Sequence, residues 1–361
     1  MSLRPSVDWL LALVPIAIVV DRLHVAAPVV FLVAALAIIP LAAVIVRSTE
    51  HVAEHTGPAV GGLLNATFGN LPELIIAVVA LRAGLVDMVR ASLIGTILAN
   101  VLLALGVAFL LGGRRYHVME YNAAGARTYA SMLMLAVVTL AVPAAFHRFL
   151  GASSPTAGGR TVDITTALVL LATYTCYLAY MVGTHADLFV ASNTDDAAGH
   201  DGPAWGLARA VGTLLAASVG AAWMSEVLVG AAEATAHALG MSPIFLGMVL
   251  LAVIGGAAES GSAMAMGRRN KPDIAVAIAM GSSIQIALFV TPVLVLLSGL
   301  VGPTTLGLGF SRLEIGVLLI ATLIVVTTSN DGRATWFKGV QLLAVYLVIA
   351  ASVYWLPVAA P

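Results

Sequence analysis

Residues 61–106 read GGLLNATFGNLPELIIAVVALRAGLVDMVRASLIGTILANVLLALG, an apolar stretch that carries the carboxylate Glu73 among its hydrophobic residues. Part of this pattern is repeated in the second half of the chain. Each matched residue lies 186 positions later, so Glu73 corresponds to Glu259. The matched residues are Gly69, Glu73, Asp87 and Gly95, followed by Gly255, Glu259, Asp273 and Gly281. A duplicated frame with one membrane-embedded acid in each copy predicts a cation site.

The composition is typical of an integral membrane protein, with 60% hydrophobic and 10% charged residues and a mean hydropathy of +1.02. A helix needs about 20 apolar residues to cross the hydrocarbon core. The net charge of −1 argues against a nucleic-acid partner, because no basic surface is available to neutralise phosphates. Eleven apolar spans are predicted, near residues 8–20, 25–46, 58–81, 86–111, 128–146, 162–183, 205–236, 242–266, 274–298, 313–328 and 335–356.

Five crossings separate Glu73 on the third span from Glu259 on the eighth, and an odd number inverts the second copy. The predicted fold is therefore an all-α polytopic membrane protein of about eleven transmembrane helices, with two inverted-topology five-helix repeats and an extra N-terminal helix. The expected divisions are the extra helix at 1–22, the first repeat at 23–184, an acidic cytoplasmic linker at 185–203 and the second repeat at 204–361. An alternative for the short first span is a cleaved signal peptide.

The distribution of basic residues predicts the orientation. If all eleven spans cross and the N-terminus is inside, eleven of the seventeen Lys and Arg residues lie on the inner side. The positive-inside rule then places the N-terminus in the cytoplasm. The expected location is the cell (inner) membrane, as a multi-pass protein.

Oxygen donors surround both glutamates in the sequence. They are Asn65, Thr67 and Asn70 near Glu73, and Ser260 and Ser262 near Glu259. Hard cations such as calcium take six to eight oxygen ligands, whereas zinc or copper favours His and Cys, which form no cluster in this sequence. An alternative is that both glutamates are neutral and only hydrogen-bonded between helices.

Helix-breaking residues stand next to each acid. Pro72 cannot donate a hydrogen bond to the carbonyl of Phe68, and Gly69 is flexible, so a local unwinding with exposed backbone oxygens is predicted there. Gly255 and Gly256 permit the same in the second copy. The alternative, close packing of helices at these glycines, is compatible with this interpretation.

Polar residues on the following helices are further candidates. They are Ser92, Thr96 and Asn100 in the first copy, and Ser282, Ser283 and Gln285 in the second. The first three share one helical face, and the amides are favoured because a buried amide requires several partners. Simple hydrogen bonding between helices is the alternative for the hydroxyls. Asp87 and Asp273 are interpreted as helix-start residues at the membrane surface.

These motifs resemble a known family. The stretch quoted first is similar to the first signature repeat of the calcium/proton exchangers of the cation/calcium antiporter superfamily, and GGAAES with MGSSIQI is similar to the second. The resemblance implies eleven helices, the first outside two inverted five-helix repeats, and exchange of cytoplasmic calcium for protons. It implies a transporter rather than an enzyme, with calcium and protons as substrates and no cofactor.

Residue by residue, the resemblance implies that Glu73 and Glu259 are the essential acidic pair, which binds the cation and couples protons. Asn70 matches the amide before the first acid. Glu50 and Glu226 match acids on the preceding helices that help cation access or proton movement. The full set of candidate ligands is the backbone of Phe68, Gly69, Asn70, Glu73, Thr96, Asn100, Gly255, Glu259, Ser282 and Gln285.

The chain departs from the family pattern at two places. Gly256 and Ser260 stand where the family usually has Asn and His, which affects ion preference and proton affinity. The linker is short; it either attracts cytoplasmic cations or is simply solvated, and its acids are Asp187, Asp195, Asp196 and Asp201.

Competition between calcium and protons for two repelling carboxylates would couple the two fluxes. Sodium/calcium exchange within the same superfamily and an uncoupled calcium channel or leak are the alternatives. The expected partners are the lipid bilayer, calcium and protons, and association into a homo-oligomer stays open.

Overall fold

The computed structural model describes residues 7–56, 64, 67–149, 157–185 and 205–356, and most of them are helical. After a 3-10 turn at Val7–Ala12, the α-helices are α1 Leu13–Arg22, α2 Ala27–Glu54, α3 Leu71–Arg82, α4 Val86–Leu98, α5 Leu105–Tyr116, α6 Ala123–Phe149, α7 Ala157–Leu178, α8 Leu207–Leu239, α9 Pro243–Phe245, α10 Ala252–Gly255, α11 Ala257–Arg268, α12 Pro272–Gln285, α13 Thr291–Val301, α14 Arg312–Thr328 and α15 Trp336–Tyr354. Two short strands are β1 Val118–Glu120 and β2 Arg333–Thr335.

Several of these helices are joined through π-helical turns into longer membrane spans. The π turns are Ala99–Ala104 between α4 and α5, Ala179–Thr184 after α7, Leu246–Leu251 between α9 and α10, and Ile286–Val290 between α12 and α13. Seven helical spans of the described residues are long and apolar enough to cross a membrane, and the pair on either side of Gly256, bent by 62°, brings this to eight. Each of the eleven predicted apolar spans overlaps a helix, which is compatible with the expected count.

Contacts between loops define two opposite faces of the molecule. At one end, which we call the strand face, β1 and β2 pair antiparallel with Val118 opposite Thr335. On the same face the backbone amide of Asn122 donates to Asp273 at 2.6 Å. At the other end the Ser242 hydroxyl donates to the carbonyl of Val353. Each of these three contacts joins positions that an even number of predicted spans separates, as expected when each span crosses the membrane.

Helices of the two halves pack in a reciprocal manner. Helix α3 of the first half packs on α13 of the second, and α11 of the second half packs on α5 of the first. Likewise α5 contacts α15, and α13 contacts α7. The long helices α2 and α8 lie against each other, with α1 in contact with both. This reciprocity brings the starts of α3 and α11, which carry the two glutamates, into the protein interior.

Glycines allow the two halves to approach closely next to these helix starts. A Cβ atom at Gly95 of α4 would overlap the backbone of Met248, and one at Gly247 would lie 2.5 Å from the carbonyl oxygen of Met88. Real Cβ contacts are never this short, so neither position accepts a side chain without backbone movement. Helix α4 and the turn Leu246–Leu251 therefore pack backbone to backbone.

We expect Gly95→Leu to destabilise the protein, because the side chain must push α4 away from Met248. Overpacking of a tight core costs about 1–3 kcal/mol or more. The matched control is Gly230→Leu on α8, where an added Cβ meets nothing within 4 Å. The thermal unfolding midpoint of the detergent-purified protein should fall by several degrees for Gly95→Leu only. Equal midpoints for the two variants would contradict the close approach.

Candidate cation site

The first glutamate stands in the first turn of a helix that begins inside the protein. Helical residues at 67 and 68 give way to a turn at Gly69 and Asn70, and α3 starts at Leu71. Pro72 falls at the beginning of α3, where the missing N–H is not needed for a helical hydrogen bond. Glu73 is buried there, 8% exposed, beside the unpaired N–H groups of the helix start. The helix is therefore interrupted at Gly69 and Asn70, next to the unwinding that Pro72 and Gly69 predict.

The second glutamate has an equivalent position. Helix α10 ends at Gly255 and α11 begins at Ala257, and the bend of 62° between them separates two parts of one span. Glu259 lies in the first turn of α11. Both carboxylates are therefore at helix N-termini, whose partial positive charge attracts anionic oxygens.

The Glu73 side chain reaches the break in the opposite half. A Cβ atom at Gly255 would lie 3.2 Å from Cγ of Glu73, and one at Gly256 would lie 3.7 Å from Oε1 of Glu73 and 3.6 Å from Oδ1 of Asn100. The charges of Glu73 and Glu259 interact electrostatically. The glycines thus make room for the acid of the first half within the broken span of the second.

Two hydrogen bonds cross between the halves at this point. The Asn70 side-chain amide donates to Oε1 of Gln285. The Ser260 hydroxyl donates to Oδ1 of Asn100 at 3.5 Å, a long bond between buried groups. Within the second half, Ser282 of α12 interacts electrostatically with the Glu259 carboxylate. The structure therefore gathers Asn70, Glu73 and Asn100 with Glu259, Ser282 and Gln285.

Several acceptor oxygens in this cluster have no hydrogen-bond partner among the described residues. They are both carboxylate oxygens of Glu73, Oε2 of Glu259 and Oδ1 of Asn70. Buried polar atoms are satisfied in the great majority of cases, so four unsatisfied acceptors together indicate a site for a cation or protons. The described residues contain no group of three or more His, Cys, Asp or Glu side chains placed so that they could hold a metal ion together. The available donors are two carboxylates with amide and hydroxyl oxygens, a hard-cation set.

The other candidate residues from the sequence differ in burial and in their hydrogen-bond partners. Thr96 is buried, and its hydroxyl donates to the carbonyl of Ser92 on its own helix, which leaves its oxygen able to accept. Ser262 is exposed and lies three residues after Glu259 on α11. The positions that fall outside the described residues are Asn65 and the linker acids Asp187, Asp195, Asp196 and Asp201.

The two outer acids lie towards opposite faces. Glu50 is partly buried near the end of α2, towards the strand face. Glu226 is exposed on α8 and lies 3.8 Å from Arg82, an ion pair that is itself largely exposed. Such an exposed pair is weak, so the Glu226 carboxylate stays accessible.

The two repeat-related aspartates are at helix starts, as interpreted. Asp87 pairs with Arg90 at 3.0 Å in the first turn of α4. Asp273 accepts from the Asn122 amide in the first turn of α12.

One contributor to the cluster was not included among the predicted ligands. Ser260 was noted as a nearby oxygen, but its contact with Asn100 spans 160 residues. Its position directly after Glu259 is the only local signal for a role, and its partner is set by the packing of α11 against the π turn Ala99–Ala104.

Known proteins resemble this chain over almost its whole length. Residues 26–183 and 209–355 match the family described as sodium/calcium exchanger protein. The chain is 38% identical over 341 residues to a protein named Ca(2+)/H(+) antiporter from Synechocystis, with 91% of each chain covered. It is 37% identical over 342 residues to the Ca(2+)/H(+) antiporter ChaA of Bacillus subtilis, covering 94% of this chain and 96% of that protein.

The fold has close counterparts among solved structures. Native YfkE matches with a TM-score of 0.82 and 34% identity, covering 97% of this chain and 100% of that chain. The H+/Ca2+ exchanger CAX matches with a TM-score of 0.70, covering 96% of this chain and 91% of that chain; at 15% identity this is a likeness of fold alone. With the family pattern matched in both halves and relatives aligned along nine-tenths of their length, the chain belongs to the sodium/calcium exchanger protein family.

Proposed function

We propose that this membrane transporter exchanges calcium for protons, and that both bind in turn at Glu73 and Glu259. The observation that carries the proposal is the pair of carboxylates, one from each half, at two interrupted spans, with buried oxygens that lack partners. The relatives named Ca(2+)/H(+) antiporters, at 37–38% identity, support the choice of cargo.

Calcium suits the chemistry of the cluster. It takes six to eight oxygen ligands in flexible geometry, from carboxylates, amides, hydroxyls and backbone carbonyls. Two carboxylates also supply the two negative charges that balance one divalent ion. The ligands that we propose are Glu73, Glu259, Asn70, Asn100, Thr96, Ser282 and Gln285, with backbone oxygens of Phe68, Gly69 and Gly255.

Protons compete with calcium because the same oxygens must be neutralised in either case. Removing one carboxylate from water costs several kcal/mol after relaxation, and two ionised carboxylates also repel. The doubly charged, empty pair is therefore disfavoured. The transporter then changes the face to which the site is open only when the pair holds calcium or protons. Exchange follows if access to the pair alternates between the faces.

For the route, we propose that the strand face is cytoplasmic in a cell membrane. Eleven of the seventeen Lys and Arg residues fall on that side if all spans cross. Glu50 then lies on the cytoplasmic side of the site and Glu226 on the other, where each would help calcium or protons approach. Asp187, Asp195, Asp196 and Asp201 would attract calcium to the cytoplasmic face.

We expect Glu73→Gln and Glu259→Gln each to abolish coupled transport, because an amide neither titrates nor supplies a negative charge. The control is Glu120→Gln, an exposed acid on β1 whose ion pair with Arg333 is also exposed. Calcium uptake into proteoliposomes with an imposed pH gradient measures the effect. Normal exchange by either variant would remove that glutamate from the mechanism.

The contact between Asn70 and Gln285 should matter for calcium affinity, since it orients the Asn70 side chain, whose carbonyl oxygen has no partner among the described residues. Loss of one partner of a buried hydrogen bond costs about 1–3 kcal/mol, or roughly 5- to 150-fold in affinity. We expect Asn70→Ala and Gln285→Ala to raise the calcium concentration for half-maximal transport. The double variant should be less impaired than the product of the two effects; independent, multiplicative effects would argue against coupling through this bond.

Gly256→Asn offers a test of the departure from the family pattern. The position lies within reach of the oxygens of Glu73 and Asn100, so an amide there adds a neutral oxygen to the cluster. We expect tighter calcium binding and a changed preference between calcium and manganese. Gly261→Asn on the following helix α11, where an added Cβ meets nothing within 4 Å, is the control. Identical ion preferences for the two variants would show that Gly256 does not face the cation.

The exchange itself is best tested in inside-out membrane vesicles energised to an acidic interior, with a fluorescent pH reporter and labelled calcium. Calcium addition should release protons, and a protonophore should stop calcium uptake. Sodium-dependent calcium movement that ignores the pH gradient would instead indicate a sodium-coupled exchanger. Calcium flux with no matching proton flux would indicate a channel or leak.

A further inference from the structure

A cleft of about 680 Å³ opens on the strand face between the ends of α5 and α11. None of the residues that line it belongs to the candidate cation site. Its lining consists of Leu111, Arg115 and Tyr116 from α5, and Met264, Ala265, Arg268 and Arg269 from the end of α11.

The ends of α5 and α11 that line the cleft cross in close contact at two glycines. A Cβ atom at Gly112 would lie 2.5 Å from the carbonyl oxygen of Gly267, and one at Gly267 would overlap the backbone of Ala108. Since neither glycine position accepts a side chain, the packing fixes the spacing of the two helix ends that carry the arginines.

The cleft has a strong excess of positive charge. Arg115, Arg268 and Arg269 have no carboxylate within 4.0 Å among the residues that the structure describes, and Arg115 lies over the ring of Tyr116 at 5.3 Å. The two helix C-termini contribute partial negative charges of roughly half a unit each. The three positive charges of the guanidinium groups exceed the total of about −1 from the helix ends. The cleft therefore keeps a net charge of about +2 and favours an anion.

The depth of the cleft matches the polar surface of a bilayer. Glu259, in the first turn of α11, lies at the interrupted centre of its span, and Ala265 to Arg269 follow six to ten residues later. At 1.5 Å per residue this is about 9–15 Å, compared with about 15 Å for half of the hydrocarbon core. Leu111 and Met264 are therefore nearer the hydrocarbon, and the three arginines are level with lipid headgroups.

We propose that this cleft binds an anionic phospholipid. The guanidinium groups of Arg115, Arg268 and Arg269 hold the phosphate, and the acyl chains run along Leu111 and Met264. Arginine forks match phosphate oxygens in pairs, and basic pockets between membrane helices are suited to anionic headgroups. The ordered change from apolar to cationic lining favours a lipid over a free phosphate. This assignment does not depend on which ions the protein transports.

The test is native mass spectrometry of the full-length protein released from nanodiscs that contain equimolar phosphatidylglycerol and phosphatidylcholine with identical acyl chains. We expect wild type to retain phosphatidylglycerol preferentially. The triple variant R115Q/R268Q/R269Q should reduce that preference at least about tenfold, because each of the three guanidinium groups attracts the anionic headgroup. The matched control R114Q/R127Q/R333Q removes the same charge from the same face but leaves the cleft intact, and should stay near wild type.

A second variant separates the cleft from charge alone. Ala265→Phe keeps every arginine and fills the space between the helix ends, so it should also lose the bound phosphatidylglycerol. Size-exclusion profiles check that each variant is folded. Equal losses in the two triple variants would overturn the proposal in favour of general attraction to the membrane. No preference in wild type, displacement of the lipid by inorganic phosphate, or a cleft variant that changes the number of copies in the complex would overturn it as well.

Discussion

A carboxylate at the centre of a bilayer costs roughly 2.5–3.5 kcal/mol on insertion scales, and this chain places two of them close enough to interact. Part of the cost is offset because both Glu73 and Glu259 stand in the first turn of a helix, beside N–H groups that no helical carbonyl occupies. A helix can begin at that depth only if the span is interrupted there. Interrupted backbone is tolerated within a membrane only when protein covers it or when it lines a water-filled cavity. The broken spans and the close packing around them are thus consequences of keeping two acids in the membrane.

The glycines around the acids follow from the same constraint. Gly255 and Gly256 leave space for the Glu73 side chain, so that the acid of one half lies in the interruption of the other. Gly95 and Gly247 let the flanking backbone close around the pair. In this way, a cluster of oxygens without hydrogen-bond partners among the described residues stays buried. The helices around it pack through backbone atoms and glycines rather than through large side chains.

The sequence predicted the apolar spans, both acids, and the break before Glu73, because hydropathy, Pro72 and the glycines are local signals. It did not predict which polar groups meet across the halves. Asn70 and Gln285 are 215 residues apart, and their contact depends on how the two halves of the protein pack. The same limit explains Ser260 and Ser262. Both are near Glu259 in sequence, but packing of α11 turns Ser260 inward to Asn100 and leaves Ser262 exposed. The pairing of β1 with β2 carries no local signal because each strand is three residues long.

The small sheet at the strand face has a consequence for the order of assembly. The hydrogen bond from Tyr121 beside β1 to the carbonyl of Ser329 before β2 links residues 208 positions apart. At synthesis rates of about 5–20 residues per second, β1 is complete some 10–40 s before its partner strand exists. During that interval its edge is unpaired on the membrane surface. Three residues are too few to template another chain, so the shortness of β1 limits mispairing while the second half of the protein is being made.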